Sequence, residues 1–118
     1  MHTKKIGKIA EDIAVRFLKK KDFRIIERNF TCKLGEIDIV ATDENFFVFI
    51  EVRSAQGYRF HNPLESITRR KTDKLTQLAT VWLDTHNIAD ANARFDILAV
   101  VFIENSKMVD ITHIVDAF

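Results

Sequence analysis

The chain has few of the residues that cross-link, bend or interrupt a fold: among 118 residues there are one cysteine, one proline and three glycines. A single cysteine, Cys32, excludes an internal disulfide and a metal site made only of cysteines, and it suits a reducing compartment. The sequence contains no repeat, low-complexity segment or Gly/Ser-rich linker. Since the length suffices to bury a sizeable core, we expect one domain that spans residues 1–118.

Long apolar segments are also missing. No stretch approaches the roughly 20 apolar residues that a membrane-spanning helix requires. The N-terminal segment Met1–Lys5 is basic, but Glu11 and Asp12 interrupt the apolar core that a secretion signal would need. We therefore expect a cytoplasmic protein that does not contact a membrane. The histidines lack the mutual spacing of metal ligands, which argues against a zinc site; they are His2, His61, His86 and His113.

Charge of one sign is not in excess, because the formal net charge is only +1. That value alone predicts no nucleic-acid binding, but the distribution of the charges is uneven. Residues 1–33 carry ten Lys and Arg against four Asp and Glu, and residues 53–74 carry six against two. Such clusters can form a basic face on a neutral protein, or they can be the solvated faces of helices.

Hydrophobic periodicity predicts two amphipathic helices and five strands. Apolar side chains recur at helical spacing over about residues 3–21 and again over about residues 68–86. The segments rich in β-branched and aromatic residues are 23–30, 35–42, 46–53, 93–103 and 108–115. The order is α-β-β-β-α-β-β, in which the strand–helix–strand passage implies parallel neighbours. We expect an α/β fold with a mixed central β-sheet flanked by helices.

Two of the predicted strands carry acids among apolar residues: Asp38 lies in GEIDIV, and Glu51 lies in FIEVR. Side chains alternate between the two faces of a strand, so Glu36 and Asp38 share a face. A hairpin with an even-length loop pairs residues of odd summed number, which places Asp38 beside Glu51 and Arg53. The apolar residues of the opposite face are then Ile37, Ile39, Val48, Ile50 and Val52.

Converging carboxylates repel each other and are poorly solvated when they are buried, at a cost of several kcal/mol, unless something compensates. A divalent cation held by both acids is one compensation, since Mg²⁺ is commonly bound by one or two carboxylates. A second is an ion pair with Arg53, on the same strand face. A third is a solvated sheet edge, where no compensation is needed. The residues alone leave the three alternatives open.

The same acids carry a resemblance to a known active site. The pattern G-E-I-D followed by F-I-E-V-R resembles the PD-(D/E)XK site of restriction-endonuclease-like proteins. Over about residues 7–102 the chain also resembles the YraN-type family of small bacterial proteins. The matching segments are E-x-x-A with F-L at Glu11, Ala14, Phe17 and Leu18, R-N at Arg28 and Asn29, GEIDIVA at Gly35–Ala41, FIEVR at Phe49–Arg53, K-x-x-K-L at Lys71–Leu75, and RFD at Arg94–Asp96.

The resemblance implies a restriction-endonuclease-like fold related to archaeal Holliday-junction resolvases. It implies that Asp38 and Glu51 bind Mg²⁺ or Mn²⁺ and that Glu11, on the first helix, joins the metal shell. The implied activity is endonucleolytic hydrolysis of phosphodiesters in structured or branched DNA. Arg53 replaces the lysine of the usual motif, and arginine stays protonated, so it can supply charge but cannot act as a base. Lys71 can take the place of that lysine from the second helix.

Basic residues beside this site are the expected contacts to the nucleic-acid backbone; they are Arg59, Arg69, Arg70 and Lys74. Contacts of this kind give salt-dependent affinity with little sequence readout. Resolvase-like cleavage of two strands would favour a homodimer, by analogy. Two further hypotheses have other functions: a catalytically inactive DNA-binding or protein-interaction module with this fold, and a structural domain whose acids are only ion-paired.

Several other side chains have a structural interpretation. We expect Glu36 to be a solvated or supporting neighbour of the metal site, with the role of a third ligand as the alternative. Arg94 and Asp96, on one face of a strand, are expected to form a structural ion pair. Trp82 lies on the apolar stripe of the second helix and is expected in the core. Tyr58 and Phe60 flank Arg59 and are candidates for stacking on bases.

Overall fold

The computed structural model describes residues 3–57, 67–103 and 108–118. Two helices and five strands occur in the predicted order, α-β-β-β-α-β-β. Their bounds are Thr3–Lys20 for α1, Arg24–Cys32 for β1, Gly35–Thr42 for β2, Phe47–Gln56 for β3, Arg69–Thr85 for α2, Ala93–Phe102 for β4 and Val109–Ile114 for β5. Each predicted boundary lies within about three residues of the observed one, so hydrophobic periodicity located every element. The segment with Tyr58, Arg59 and Phe60 lies outside the described residues.

The strands form one mixed sheet in the order β1-β2-β3-β4-β5. The pairs β1–β2, β2–β3 and β4–β5 are antiparallel, and β3–β4 is parallel. The parallel pair is the expected consequence of the connection through α2, because a helix between two strands returns the chain to the same end of the sheet. The prediction of an α/β fold with a mixed central sheet is confirmed.

Each helix covers one face of the sheet. On one face, Ala14 and Leu18 of α1 pack with four strand residues, and all six are almost fully buried. The strand residues are Ile39, Val48, Ile50 and Leu98. On the other face, Leu78 and Trp82 of α2 pack with the alternate strand residues Val40 and Phe49. Trp82 is buried as predicted, and its indole Nε1 donates a hydrogen bond to Glu27 at 2.9 Å. Within the described residues, neither helix has the length and apolarity needed to cross a membrane.

The predicted register of β2 and β3 is confirmed by the pairs Ile39–Ile50 and Val40–Phe49, but the predicted face of Ile37 is wrong. Ile37 packs in the α2 cluster, whereas Ile39 packs in the α1 cluster. The alternation breaks where Asn29, in β1, adopts a left-handed backbone with φ of 55°.

The side chains of β1 change faces at the same point. Arg28 donates a hydrogen bond to Asp12 of α1, while Phe30 packs in the α2 cluster. In a regular strand, residues two apart share a face, so a left-handed residue between them accounts for the exchange. Phe30 stays paired with Ile37, and the two side chains therefore move to the α2 face together.

Candidate active site

Asp38 lies where the described pairing between β2 and β3 ends, one residue beyond the Ile39–Ile50 pair. The backbone N–H of Val52 donates to Asp38 Oδ2 at 2.8 Å, so a carboxylate takes the place of a backbone acceptor at this point of the sheet. This hydrogen bond fixes the acid in a half-buried position between the two strands. The sheet therefore holds Asp38 on a rigid element.

Glu51 is the next acid in this group, and it is only 8% exposed. Its Oε2 lies 2.7 Å from Lys71 Nζ and 3.9 Å from Arg53 NH1. Neither contact has the geometry of a hydrogen bond, so Oε2 accepts none from the part of the chain that the structure describes. Glu51 thus offers a buried oxygen with spare acceptor capacity, neutralised in part by the Lys71 ammonium.

Glu51 disfavours the ionisation of Asp38. Burial, a hydrogen-bonding contact with Glu51 and repulsion by the Glu51 charge raise the pKa of Asp38 to about 8, and the N–H of Val52 offsets part of this effect. A carboxyl with so high a pKa is mostly protonated at neutral pH without a compensating cation. The site is therefore short of positive charge around Asp38.

Glu11 and Glu36 approach Asp38 from the other side. Oxygen atoms of the three carboxylates lie within 4.8 Å of one another. Burial and repulsion by Glu36 raise the pKa of Glu11. The side-chain amide of Asn29, oriented with its nitrogen towards the acids, donates to Glu11 Oε1 at 2.8 Å and to Glu36 Oε1 at 3.0 Å. Glu36, expected as a supporting neighbour, thus lies within 4.8 Å of Asp38, as Glu11 does.

Lys71 comes from the first turn of α2. The side chain of Thr68 caps this helix by accepting a hydrogen bond from the backbone N–H of Lys71 at 3.2 Å. The first turn contains no acid but begins with Arg69, Arg70 and Lys71. Cations at a helix N-terminus oppose the helix dipole, at a cost of about 0.3–1 kcal/mol each. A turn of this composition is better suited to an anion that arrives from outside.

The predicted contacts Arg69, Arg70 and Lys74 line one open groove together with Asp73 and Gln77. The turn between β1 and β2 borders Lys74, because a Cβ at Gly35 would lie 3.5 Å from Lys74 Cε. Gly35 has φ of 142°, a conformation that L side chains rarely adopt, so glycine is required there. Arg59, the fourth predicted contact, lies outside the described residues.

The donor set fits a hard divalent cation. All four acids offer oxygen ligands, which Mg²⁺ and Mn²⁺ prefer, and Glu51 Oε2 is a buried acceptor without a hydrogen-bond donor among the described residues. The side chains that would hold the ion are Asp38 and Glu51, with Glu11 and Glu36 beside Asp38. The sequence-predicted metal and catalytic residues Glu11, Asp38, Glu51, Arg53 and Lys71 are thus brought together, but their roles stay predictions.

A second charged network surrounds Asp96, near the start of β4. Asp96 is fully buried and accepts hydrogen bonds from Arg94 Nε at 3.0 Å, His113 Nε2 at 2.8 Å and the backbone N–H of Asp116 at 3.0 Å. Arg94 also pairs with Asp43. The ion pair of Arg94 with Asp96 agrees with the predicted structural role. The part played by His113 was missed, because no local signal links residues 17 positions apart.

Asn29 is the other residue that sequence reasoning missed. It forms part of the R-N pair that resembles the family pattern, yet nothing in that pair indicates a left-handed backbone in the middle of a strand. Asn is enriched at positive φ, which is a weak signal. Only the three-dimensional neighbours, Glu11 and Glu36, reveal what its side chain contacts.

Comparison with known proteins gives the family. A family model described as Uncharacterised protein family UPF0102 matches residues 10–100. A UPF0102 protein of Dictyoglomus thermophilum is 34% identical over 118 residues, which is the full length of both chains. One of Geotalea daltonii is 42% identical over 115 residues, or 98% of this chain and 90% of the relative. The chain therefore belongs to the UPF0102 family, the YraN-type family that its motifs resemble.

Proposed function

We propose that this protein is a divalent-metal-dependent endonuclease that hydrolyses phosphodiesters in structured or branched DNA. The observation that carries the proposal is the group Asp38–Glu51–Lys71. In this group, half-buried Asp38 lies beside buried Glu51, and the ammonium of Lys71 lies 2.7 Å from Glu51 Oε2. A buried acid whose pKa is raised by a neighbouring carboxylate, as that of Asp38 is by Glu51, is suited to a divalent ion.

Asp38 and Glu51 would hold the ion, and Glu11 would complete the shell from α1. When bound, Mg²⁺ supplies Lewis-acid polarisation of a phosphate oxygen and a more acidic water. The protein orients the acids, since Asp38 is anchored by the Val52 N–H and Glu51 is held by Lys71. The negative charge of Glu11, Glu36, Asp38 and Glu51 favours entry of a cation.

Lys71 supplies the ammonium that the E-X-K position lacks. An ammonium has three donors, so Lys71 can retain its ion pair with Glu51 and also donate to a phosphate oxygen. Arg53 keeps its proton throughout and stabilises the negative charge that develops on the phosphate. Lys71 would thus supply the hydrogen-bond donor, and Arg53 the permanent positive charge, that a single lysine supplies in the usual motif.

The groove with Arg69, Arg70 and Lys74 supports binding of the nucleic-acid backbone. These three cations lie on the first two turns of α2, which also carries Lys71. When one phosphate lies at the acids, the adjacent phosphates of the same strand would be within reach of these cations. Backbone contacts give affinity that falls with salt and depends little on base sequence. Arg59 remains a further predicted contact, and cleavage of two strands would require a symmetric pair of such sites, as in a homodimer.

A catalytically inactive DNA-binding module is the second candidate. It is favoured by Arg53, which cannot act as a base, and by the ion pair that already engages Lys71 with Glu51. In this alternative the acids and cations would neutralise each other and serve only to shape the surface. Binding to DNA would then persist without hydrolysis.

Linear, single-stranded and four-way-junction DNA distinguish the candidates when each is incubated with Mg²⁺, Mn²⁺ or EDTA. We expect metal-dependent cleavage by the wild type, its loss in Asp38→Asn and Glu51→Gln, and its retention in the control Glu44→Gln, which changes an exposed acid in the β2–β3 loop. Junction binding without cleavage would select the inactive module. Neither binding nor cleavage would refute both candidates.

A further inference from the structure

Asn29 combines an unusual backbone with an unusual set of side-chain contacts. It lies inside β1, between the paired residues Arg28 and Phe30, with φ of 55°. A left-handed residue costs roughly 1–2 kcal/mol for most L-amino acids and less for asparagine, and it interrupts the ladder of a strand. A chain retains such a residue where the surrounding structure makes use of it.

The left-handed backbone of Asn29 directs its side chain towards two acids. With the amide oriented so that its nitrogen faces the acids, that nitrogen lies 2.8 Å from Glu11 Oε1 and 3.0 Å from Glu36 Oε1, so one NH₂ group can donate a hydrogen bond to each acid. Glu11 comes from α1 and Glu36 from β2. The amide therefore ties together two acids that would otherwise repel each other.

A neutral donor is the appropriate link in this position. A lysine or arginine would neutralise the acids and compete with a divalent ion for them, whereas an aspartate would add to the repulsion. Arg28, the nearest cation along the chain, is engaged with Asp12 at 2.7 Å. Asparagine also tolerates positive φ better than other residues with a side-chain amide, so backbone and side chain impose the same choice.

We propose that Asn29 is a positioning residue that sets the carboxylates of Glu11 and Glu36 beside Asp38 for divalent-cation binding. The inference rests on the proposed function, since it concerns the same acidic site. Partners that hydrogen-bond metal ligands contribute about 10–100-fold to metal affinity in other proteins. We expect an effect of about tenfold here.

The test compares two variants that share the loss of the amide but differ in backbone strain. Asn29→Gly adopts positive φ without cost, whereas Asn29→Ala does not. The matched controls are Asn87→Gly and Asn87→Ala, because Asn87 has φ of 57° and is exposed after α2. Mn²⁺ binding to each protein without DNA is measured by electron paramagnetic resonance, and the unfolding temperature is measured by circular dichroism.

We expect Mn²⁺ affinity to fall about tenfold in both Asn29 variants, with the unfolding temperature lowered more in Asn29→Ala than in Asn29→Gly. If Asn29 had only a structural role, the loss of Mn²⁺ affinity would follow the loss of stability. An equal loss of Mn²⁺ affinity in two variants of unequal stability would therefore support the positioning role. Wild-type affinity in Asn29→Gly would overturn the inference and leave the proposed metal site intact. If wild-type binding is absent or is the same in Asp38→Asn, both the proposed function and the inference are overturned.

Discussion

The substitution Asp38→Asn should stabilise the metal-free protein at neutral and alkaline pH. In the wild type, burial and the neighbouring Glu51 raise the pKa of Asp38 from 3.8 to about 8. Between these two values the folded state binds more protons than the unfolded state, so its stability falls as pH rises through the window. Asparagine has the same shape and can still accept the N–H of Val52, but it does not titrate.

The size of the effect follows from the width of the window. Each pKa unit corresponds to about 1.4 kcal/mol, so a shift from 3.8 to about 8 sets an upper bound of about 6 kcal/mol above pH 8. The repulsion is shared with Glu51, and the ion pair between Glu51 and Lys71 persists in the variant. We therefore expect about 2 kcal/mol at pH 8, declining to almost nothing near pH 4.

Urea unfolding in EDTA at a series of pH values measures this difference directly. The control Glu44→Gln removes an exposed acid and should track the wild type at every pH. With Mg²⁺ added the order should reverse, because ligand binding to the folded state stabilises the wild type and not the variant. Equal stability of wild type and Asp38→Asn from pH 4 to 8, or a less stable variant at pH 8, would refute the reasoning.

Three further predictions concern other parts of the molecule. Asp96→Asn should cost about 3–5 kcal/mol at pH 7, because it leaves Arg94 and His113 without their buried anion; equal urea midpoints would contradict this. Burial opposes ionisation of Asp96, but the hydrogen bonds from His113, Arg94 and Asp116 outweigh it and lower the pKa. The stability that ionised Asp96 contributes should therefore be present above about pH 4 and be lost below it. Acid unfolding of the wild type and Asp96→Asn measures this loss. Trp82→Ala should cost about 3–5 kcal/mol through the cavity left beneath α2, and a much smaller change in thermal unfolding would show that the core refills it. Arg70→Gln should weaken DNA binding equally for all sequences and reduce the slope of log affinity against log salt by about 1, whereas an unchanged slope would remove Arg70 from the interface.

The sequence was sufficient for every element and for the pairing of the two central acids. Apolar residues at helical or alternating spacing located α1, α2 and the strands, because burial of one face imposes those periods. The register that joins Ile39 to Ile50 followed from the same alternation. It also brought Asp38 to Glu51, since a strand offers only two faces.

The failures occurred where tertiary contacts override local periodicity. Ile37 faces α2 because Asn29, its near neighbour across the ladder, has a left-handed backbone that no spacing rule anticipates. Glu36 was expected to be a solvated or supporting neighbour of the metal site; it lies within 4.8 Å of Glu11 and Asp38, and its role stays a prediction. His113 joined Asp96 across two strands, and sequence distance hides such a contact.

The most direct test of the central claim is the single-turnover rate of four-way-junction cleavage, measured at increasing Mg²⁺ concentration. We predict that the wild-type rate rises with Mg²⁺ to saturation and that the rate of Asp38→Asn is lower by a factor of at least about 100, since transition-state interactions of this kind contribute about 3 kcal/mol. No cleavage by the wild type at any Mg²⁺ concentration, or equal rates for the two proteins, would contradict the assignment of Asp38, Glu51 and Lys71 as a hydrolytic site.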